Sequence, residues 1–167
     1  MIEGSEDFFE RLNSLGTGER AALKRSAGTM VQSADGRALK AFYRSMPSTG
    51  VRNEEKWFAI ACLRCLWDIG EEKGEPFEAM ISSLLRRDEI SESTSHRVST
   101  LLDTRWDQDG FMLSKLSRLV KMLCQKSEEM LDFPALLEDL IYWNSDTQTI
   151  QRKWARAMFG FEKNEKE

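Results

Sequence analysis

The chain has 167 residues, with 24 basic and 28 acidic side chains, and therefore a formal net charge of −4 at pH 7. Hydrophobic residues make up 41% and charged residues 31%, a balance typical of a folded chain rather than a disordered one. The length suits one domain or two very small ones. No apolar run in the sequence is long enough to span a bilayer, so contact with a membrane is not expected.

The first seven residues are acidic and lack the cationic start and apolar stretch of a signal peptide. Three cysteines are an odd number, so free thiols are expected rather than a disulfide framework. Both features predict a cytoplasmic location. The single histidine, His96, has no partner pattern around it and leaves little room for a catalytic or metal site.

Helical periodicity runs through the whole sequence, and the alternation typical of strands is absent. The first two helices are expected at residues 6–15 and 18–27, with Ser5 and Thr17 as their N-caps. Gly28 is expected to stop the second helix, because glycine is common just past a helix C-terminus.

The third helix should start after Asp35 and must end before Pro47, because proline pushes its predecessor out of the helical region. The fourth is the most apolar and is expected over residues 54–69, stopping at Gly70. A helix that is apolar on most sides is usually the central one of a bundle. We therefore expect the other helices to pack around it.

The remainder of the chain predicts five more helices, at residues 77–87, 92–103, 110–126, 132–143 and 146–159. The predicted fold is all-α, a compact bundle of about eight or nine helices. We expect a single domain over residues 1–161, with the charged loop near 70–76 as the place where two sub-bundles could separate. Residues 162–167 are expected to form a frayed, charged tail.

Basic residues are distributed unevenly. Residues 11–52 carry eight basic and two acidic side chains, residues 111–127 four basic and none acidic, and residues 151–160 three basic and none acidic. At about 100° per residue, Lys115, Arg118 and Lys126 fall opposite the apolar arc of their helix, with Lys121 at its edge. Two helix faces are thus basic without intervening carboxylates. Such faces suit phosphate binding, although helix surfaces are also commonly charged for solvation alone.

The other motifs predict little chemistry. Cys62 and Cys65 form a C-x-x-C pair, but a structural zinc site needs four ligands, so both cysteines are expected to pack in the core. The five tryptophans are expected to be core or interface anchors. No nucleophile stands in a pattern with a base, so the sequence predicts a protein that is not an enzyme and holds no metal or cofactor.

Several segments agree together in order and spacing with one family. They are GERAALKRSA at 18–27, LKAFYR at 39–44, HRVSTLLD at 96–103, LSRL at 116–119, LDFPALLEDLIYW at 131–143 and QRKWAR at 151–156. In these segments the chain resembles the CasB family, the small subunit of the type I-E CRISPR surveillance complex called Cascade. The segment at 131–143 is the most specific of them.

This resemblance implies an all-helical subunit without enzymatic activity. Two copies would lie along the belly of the complex, against its backbone subunits and its large subunit. Their basic surfaces would hold the target DNA strand and the displaced single strand when the guide RNA invades the duplex, with only indirect contact to the RNA. Cleavage would be done by a recruited helicase-nuclease.

The resemblance also supplies candidate nucleic-acid-binding residues. The side chains that match basic positions of the family are Lys24, Arg25, Arg44, Arg118, Arg152, Lys153 and Arg156. Lys115, Lys121 and Arg97 are added from face geometry or proximity. Because R-loop formation is nearly balanced in free energy, a few phosphate contacts without base reading would stabilise it. The sequence pI of about 5.3 indicates that any such binding depends on positioned patches within an assembly.

Two other classes of protein remain open. A helical protein–protein adaptor would use the charged stripes only for solvation. A helix-turn-helix regulator would use residues 16–18 or Met46-Pro47 as its turn. The basic helix that follows the first of these turns has no Asn or Gln for reading adenine.

Overall fold

A computed structural model describes residues 2–47, 50–68, 74–87 and 92–160 of the chain. Within these ranges there are nine α-helices, and β-structure is limited to one parallel bridge between Glu75 and Leu131. The helices are α1 (Ser5–Asn13), α2 (Thr17–Arg25), α3 (Gly36–Ser45), α4 (Glu54–Arg64), α5 (Phe77–Arg86), α6 (Glu92–Leu102), α7 (Phe111–Lys126), α8 (Phe133–Ile141) and α9 (Thr149–Phe159). The predicted all-α bundle is confirmed. None of the helices in the described ranges is long and apolar enough to cross a membrane.

Helix α4 lies at the centre of the molecule. Every side chain from Lys56 to Arg64 is buried, and α2, α7 and α8 all pack against this helix. An element surrounded on most sides is expected to be largely apolar. The two buried cations of α4, Lys56 and Arg64, donate to the backbone carbonyls of Ile141 and Trp67. The prediction of a central helix is therefore confirmed.

The end of α4 was predicted too late, because the helix ends at Arg64 and not at residue 69. The next turn is tightened, since the amides of Leu66 and Trp67 donate to carbonyls only three residues back. The carbonyl of Trp67 then accepts from the guanidiniums of Arg20 and Arg64, each at 3.2 Å. These two cations satisfy an acceptor that would otherwise be orphaned near the helix C-terminus. Residues 69 and 70, where the helix was expected to stop, lie outside the described ranges.

Two aspartates cap helices as their side-chain chemistry requires. The carboxylate of Asp35 accepts from the amide of Ala38 at 2.9 Å, and that of Asp132 accepts from the amide of Ala135 at 3.1 Å. Each satisfies one of the free amides in the first turn of α3 or α8. The predicted helix starts after Asp35 and around Asp132 are thus confirmed.

Other helix starts were predicted wrongly. Ser5 and Thr17 are the first helical residues of α1 and α2, and the N-cap positions belong to Gly4 and Gly16. Helix α9 begins at Thr149, three residues later than predicted, because Gln148 has a φ of 51°. A residue in this left-handed conformation cannot continue a right-handed helix.

Buried apolar side chains form one contiguous cluster, in which aromatic rings are prominent. The rings of Trp143 and Trp154 meet edge to face, with centroids 4.9 Å apart, and Phe77 contacts Trp154 at 4.6 Å. Four of the five tryptophans are buried, as predicted, whereas Trp67 is half-buried. Such aromatic pairs contribute about 0.5–1.5 kcal/mol beyond the area they bury.

The cysteines are free thiols, and Cys62 and Cys65 are buried in the core as predicted. Burial raises the pKa of the Cys65 thiol, which keeps it protonated and unreactive at neutral pH. The predicted tail at residues 162–167 and most of the predicted charged loop near 70–76 lie outside the described residues. The single-domain organisation stays a prediction.

Candidate nucleic-acid interface

Helix α7 is amphipathic in the way its sequence predicts. The five residues of its predicted apolar arc are all buried: Met112, Leu116, Leu119, Val120 and Leu123. On the other side Arg118 and Lys121 are exposed, while Lys115 is half-buried. Seating this helix on the core therefore turns its basic residues toward solvent.

The fold brings the end of α2 against α7. The ammonium of Lys121 donates to the carbonyl of Ala27 at 3.3 Å, and Gly28 faces the side chain of Ser117. Burial raises the pKa of the Cys124 thiol, and the nearby Lys24 ammonium opposes that rise, which places Lys24 beside α7 as well. Residues almost a hundred positions apart in the chain thus form one surface.

We call this surface the α2–α7 basic patch and define it by Lys24, Arg25, Arg118 and Lys121. All four side chains are exposed. None of them lies within ion-pair distance of a carboxylate in the part of the chain that the structure describes. Asp68 also lies near Cys124, but no carboxylate pairs directly with these four cations, so they are available to an anion from outside.

Lys24 and Arg25 also have a structural reason to stand where they do. They occupy the last turn of α2, where the carbonyl end of the helix dipole favours positive charge. This interaction is weak at an exposed site, about 0.3–1 kcal/mol. It holds the cations at the helix end without neutralising them.

Arg44 is placed differently. Its guanidinium lies 2.9 Å from the carboxylate of Glu19, so α3 and α2 are joined here by an ion pair. The sequence alone does not reveal this partner, since the two residues are 25 positions apart and belong to different helices. The Glu19 carboxylate therefore offsets the positive charge of Arg44 that an external anion would meet.

Lys153 is paired more strongly. It lies 2.7 Å from the carboxylate of Asp139 on α8 and 3.9 Å from that of Glu78 on α5. Asp139 is buried, and its second oxygen accepts from the indole nitrogen of Trp154 at 2.8 Å. The expectation that no carboxylate intervenes on the basic face of α9 is therefore wrong for Lys153.

Glu78, the half-buried carboxylate 3.9 Å from Lys153, has an altered titration. Burial raises the pKa of Glu78 above its ordinary value, and the Lys153 ammonium only partly opposes this. Arg152 and Arg156 are exposed on the same helix and form no ion pair with another described residue. Two of the three predicted cations of α9 thus remain available.

The last predicted cation, Arg97, is exposed on α6, which packs against α7. Of the ten predicted residues, the structure therefore brings Lys24 and Lys121 together at the α2–α7 contact, with Arg25 next to Lys24 on α2 and with Arg118 and Lys115 on α7. The other five lie on α3, α6 and α9. No group of three or more His, Cys, Asp or Glu side chains suited to a metal ion occurs among the described residues.

Sequence reasoning missed one exposed residue on the basic side of α7, Phe111. It is the first residue of α7 and 61% exposed. The signal that could have found it is its spacing, since it stands seven residues before Arg118 and so on the same side of the helix.

Comparison with known proteins places this geometry in a family. The family model described as CRISPR-associated protein Cse2 matches residues 19–159. The CRISPR-associated protein Cse2 of Thermus thermophilus is 29% identical over 153 residues, which cover 90% of this chain and 84% of the relative. Family membership thus rests on a match that spans most of the sequence.

Solved structures show the same fold. The crystal structure of M. ruber CasB superposes with a TM-score of 0.75 at 20% identity, covering 99% of this chain and 98% of the other. A chain of a CRISPR RNA-guided surveillance complex superposes with a TM-score of 0.70 at 18% identity, covering 99% and 98%. The resemblance to CasB seen in the sequence is confirmed, and the chain belongs to the Cse2 family of CRISPR-associated proteins.

Proposed function

We propose that the chain is the non-catalytic small subunit of a type I-E CRISPR RNA-guided surveillance complex in the cytoplasm. In this function it contacts phosphates of the target and displaced DNA strands and so stabilises the R-loop. Its partners are the backbone and large subunits and a second copy of itself, with the guide RNA reached only indirectly. Membership of the Cse2 family supports the assembly part of the proposal.

The α2–α7 basic patch is the observation that carries the nucleic-acid part. The Lys121–Ala27 contact joins the surfaces of α2 and α7, and Lys24, Arg25, Arg118 and Lys121 have no acidic partner within ion-pair distance among the described residues. A chain with a net charge of −4 does not attract DNA over its whole surface. A local group of unpaired cations does so wherever the assembly holds a strand against it.

The energetic demand on this surface is small. Replacing a DNA duplex by an RNA–DNA heteroduplex is nearly neutral in free energy, so contacts to the strand backbones decide how long the R-loop persists. Phosphate contacts carry no sequence information. The stabilisation should therefore be the same for every target.

The test is the variant Lys115→Ala/Arg118→Ala/Lys121→Ala within the assembled complex. We expect a shorter R-loop lifetime on all target sequences alike, and a salt dependence whose slope falls by about 0.7 for each single-strand phosphate that is no longer neutralised. The matched control is Arg37→Ala/Lys40→Ala/Arg52→Ala, which removes three exposed cations outside the predicted site. An unchanged lifetime in the first variant would count against these residues.

The assembly part has its own test. Tagged protein isolated from its native host should bring down large helical and repeat-type subunits together with a short, repeat-derived RNA. Recovery with unrelated proteins and no RNA would contradict the proposal and favour the helical adaptor instead.

A further inference from the structure

Phe111 presents an apolar ring to solvent at the N-terminal end of the basic stripe of α7. At 61% exposed it is more open than Tyr43 and Tyr142, the other large exposed rings of the described residues. The side chains of Met112 and Leu113, which follow directly, are buried. The helix start is thus seated on the core, and the ring is exposed because of its position on the helix and not because the end frays.

The start of α7 is also held by packing of Gly110 against Met30. Gly110 has a φ of 77°, and a side chain there would approach the Cγ atom of Met30 to 3.2 Å. Close packing against Met30 together with a left-handed backbone fixes the direction in which the helix begins. Phe111 is therefore projected from a defined point.

The ring shares its side of α7 with the cations. At about 100° per residue, Phe111 and Arg118 differ by roughly 20° around the helix axis, and Lys115 lies between them along that axis. The Lys115 ammonium lies over the Phe111 ring, 5.7 Å from its centroid. From Phe111 to Lys121 the stripe is about 15 Å long, which matches roughly four stacked nucleotides.

An exposed ring beside unpaired cations has the composition of a surface for single-stranded nucleic acid, in which bases stack on aromatic faces and phosphates contact Lys or Arg. A duplex offers only its phosphates to such a surface, because its bases are paired and stacked on one another. The aromatic ring therefore favours an unpaired strand as the ligand of α7.

We propose that Phe111 stacks against an unpaired base of the displaced strand while Lys115, Arg118 and Lys121 contact its phosphates. This proposal rests on the proposed function and narrows it, since it assigns the α7 face to single-stranded nucleic acid. Phe111 sets the preference for bases, and the cations set the affinity for the backbone.

The experiment compares two fluorescein-labelled 20-mers by fluorescence anisotropy at low ionic strength. One is oligo-dT, and the other is an abasic strand with the same number of phosphates. We expect the wild-type chain to bind oligo-dT about five- to tenfold more tightly. Phe111→Ala should bind both strands with the weaker affinity, and Phe111→Trp should retain the preference.

Tyr142→Ala is the matched control, because this ring is 55% exposed but takes part in no cation–π contact among the described residues. It should keep the preference for oligo-dT. Equal binding of the two strands by the wild type, or an unchanged preference in Phe111→Ala, would overturn the stacking proposal and leave phosphate binding intact. No binding of either strand by the chain alone would contradict the stacking proposal, whereas phosphate binding within the assembly is tested separately by the R-loop lifetime of the Lys115→Ala/Arg118→Ala/Lys121→Ala variant.

Discussion

Helices α7 and α9 have the same sequence signature and different surfaces. Both carry an apolar face opposite a basic one with no acidic residue between. On α7 the exposed cations Arg118 and Lys121 have no carboxylate partner among the described residues, whereas on α9 Lys153 is paired with Asp139 and Glu78. The charge pattern of one helix therefore does not determine the charge that a ligand meets, because neighbouring helices supply or withhold the counter-ions.

Lys153 and Lys121 also illustrate two different roles of a lysine, one in an ion pair and one with its charge left at the surface. Lys153 completes a polar network inside the α5–α8–α9 contact, where Asp139 accepts from both Lys153 and Trp154. Lys121 instead reaches only a neutral backbone carbonyl and keeps its net charge at the surface. A hydrogen bond to a carbonyl orders a lysine without cancelling its field.

The largest effect is expected from Asp139→Ala, which removes the acceptor for a buried indole and the partner of Lys153. Leaving a buried donor unsatisfied costs about 1–3 kcal/mol, and removal of the ion pair adds to this. We expect the free energy of unfolding, measured in denaturant titrations, to fall by about 2–3 kcal/mol, and the Tm to fall by roughly 4–10 °C.

Two further variants separate the contributions at this position. Lys153→Ala should lower the free energy of unfolding by less than about 1 kcal/mol. The lysine is itself half exposed, and Asp139 still accepts the hydrogen bond from Trp154. Asp139→Asn retains an oxygen acceptor for Trp154, so its loss of stability should lie between those of Asp139→Ala and Lys153→Ala. An Asp139→Ala protein as stable as the wild type would show that α9 is held by apolar packing alone.

The next effect concerns pH and Glu78. Burial raises the folded-state pKa of this carboxyl above its ordinary value of 4.5, so the native state disfavours its ionised form. The ionised carboxylate therefore costs stability above the folded pKa, and this cost disappears as the pH falls through the folded pKa and below 4.5. Glu78→Gln should therefore raise the free energy of unfolding at pH 7 and leave it unchanged near pH 4.

Thermal unfolding of wild type and Glu78→Gln from pH 4 to pH 8 measures this difference. Glu10→Gln, on the exposed side of α1, is the control that removes an acidic charge without burial. If Glu78→Gln were less stable than the wild type at pH 7, the Lys153 ion pair would outweigh burial, and the α9 region would be more strongly cross-linked than we infer.

The smallest effect is expected at Arg44, whose pairing is intermediate between that of the unpaired Lys121 on α7 and that of the paired Lys153 on α9. Its ion pair with Glu19 is largely exposed, and such pairs contribute about 0–1 kcal/mol. Glu19→Gln should hardly change the Tm but should free the guanidinium. If Arg44 contacts phosphate, affinity for single-stranded DNA at low salt rises about twofold, measured by anisotropy; an unchanged affinity would assign Arg44 to the α2–α3 contact alone.

Much of the fold followed from local rules. Helix-forming periodicity, the capping aspartates at positions 35 and 132, and the apolar character of α4 each depend on residues close together in the chain. Errors occurred where a distant contact or an unusual backbone angle intervened. The early end of α4 involves Arg20 from another helix, and the late start of α9 involves the left-handed Gln148.

The candidate site was less predictable. The basic residues of α7 could be recognised, and so could their orientation away from the core. Their alignment with Lys24 depends on how α2 docks, and the pairing of Lys153 depends on where α8 and α5 lie. Neither arrangement leaves a pattern within a single helix.

The sequence by itself determined the all-helical class and the presence of basic helix faces, because periodicity and composition act over a few turns of chain. The family came from the resemblance of several segments in order and spacing. Only the tertiary structure decided which of those cations are neutralised and which are free. Electrostatic interactions depend on distances of a few ångströms through space, and those distances join residues that are tens of positions apart in the sequence.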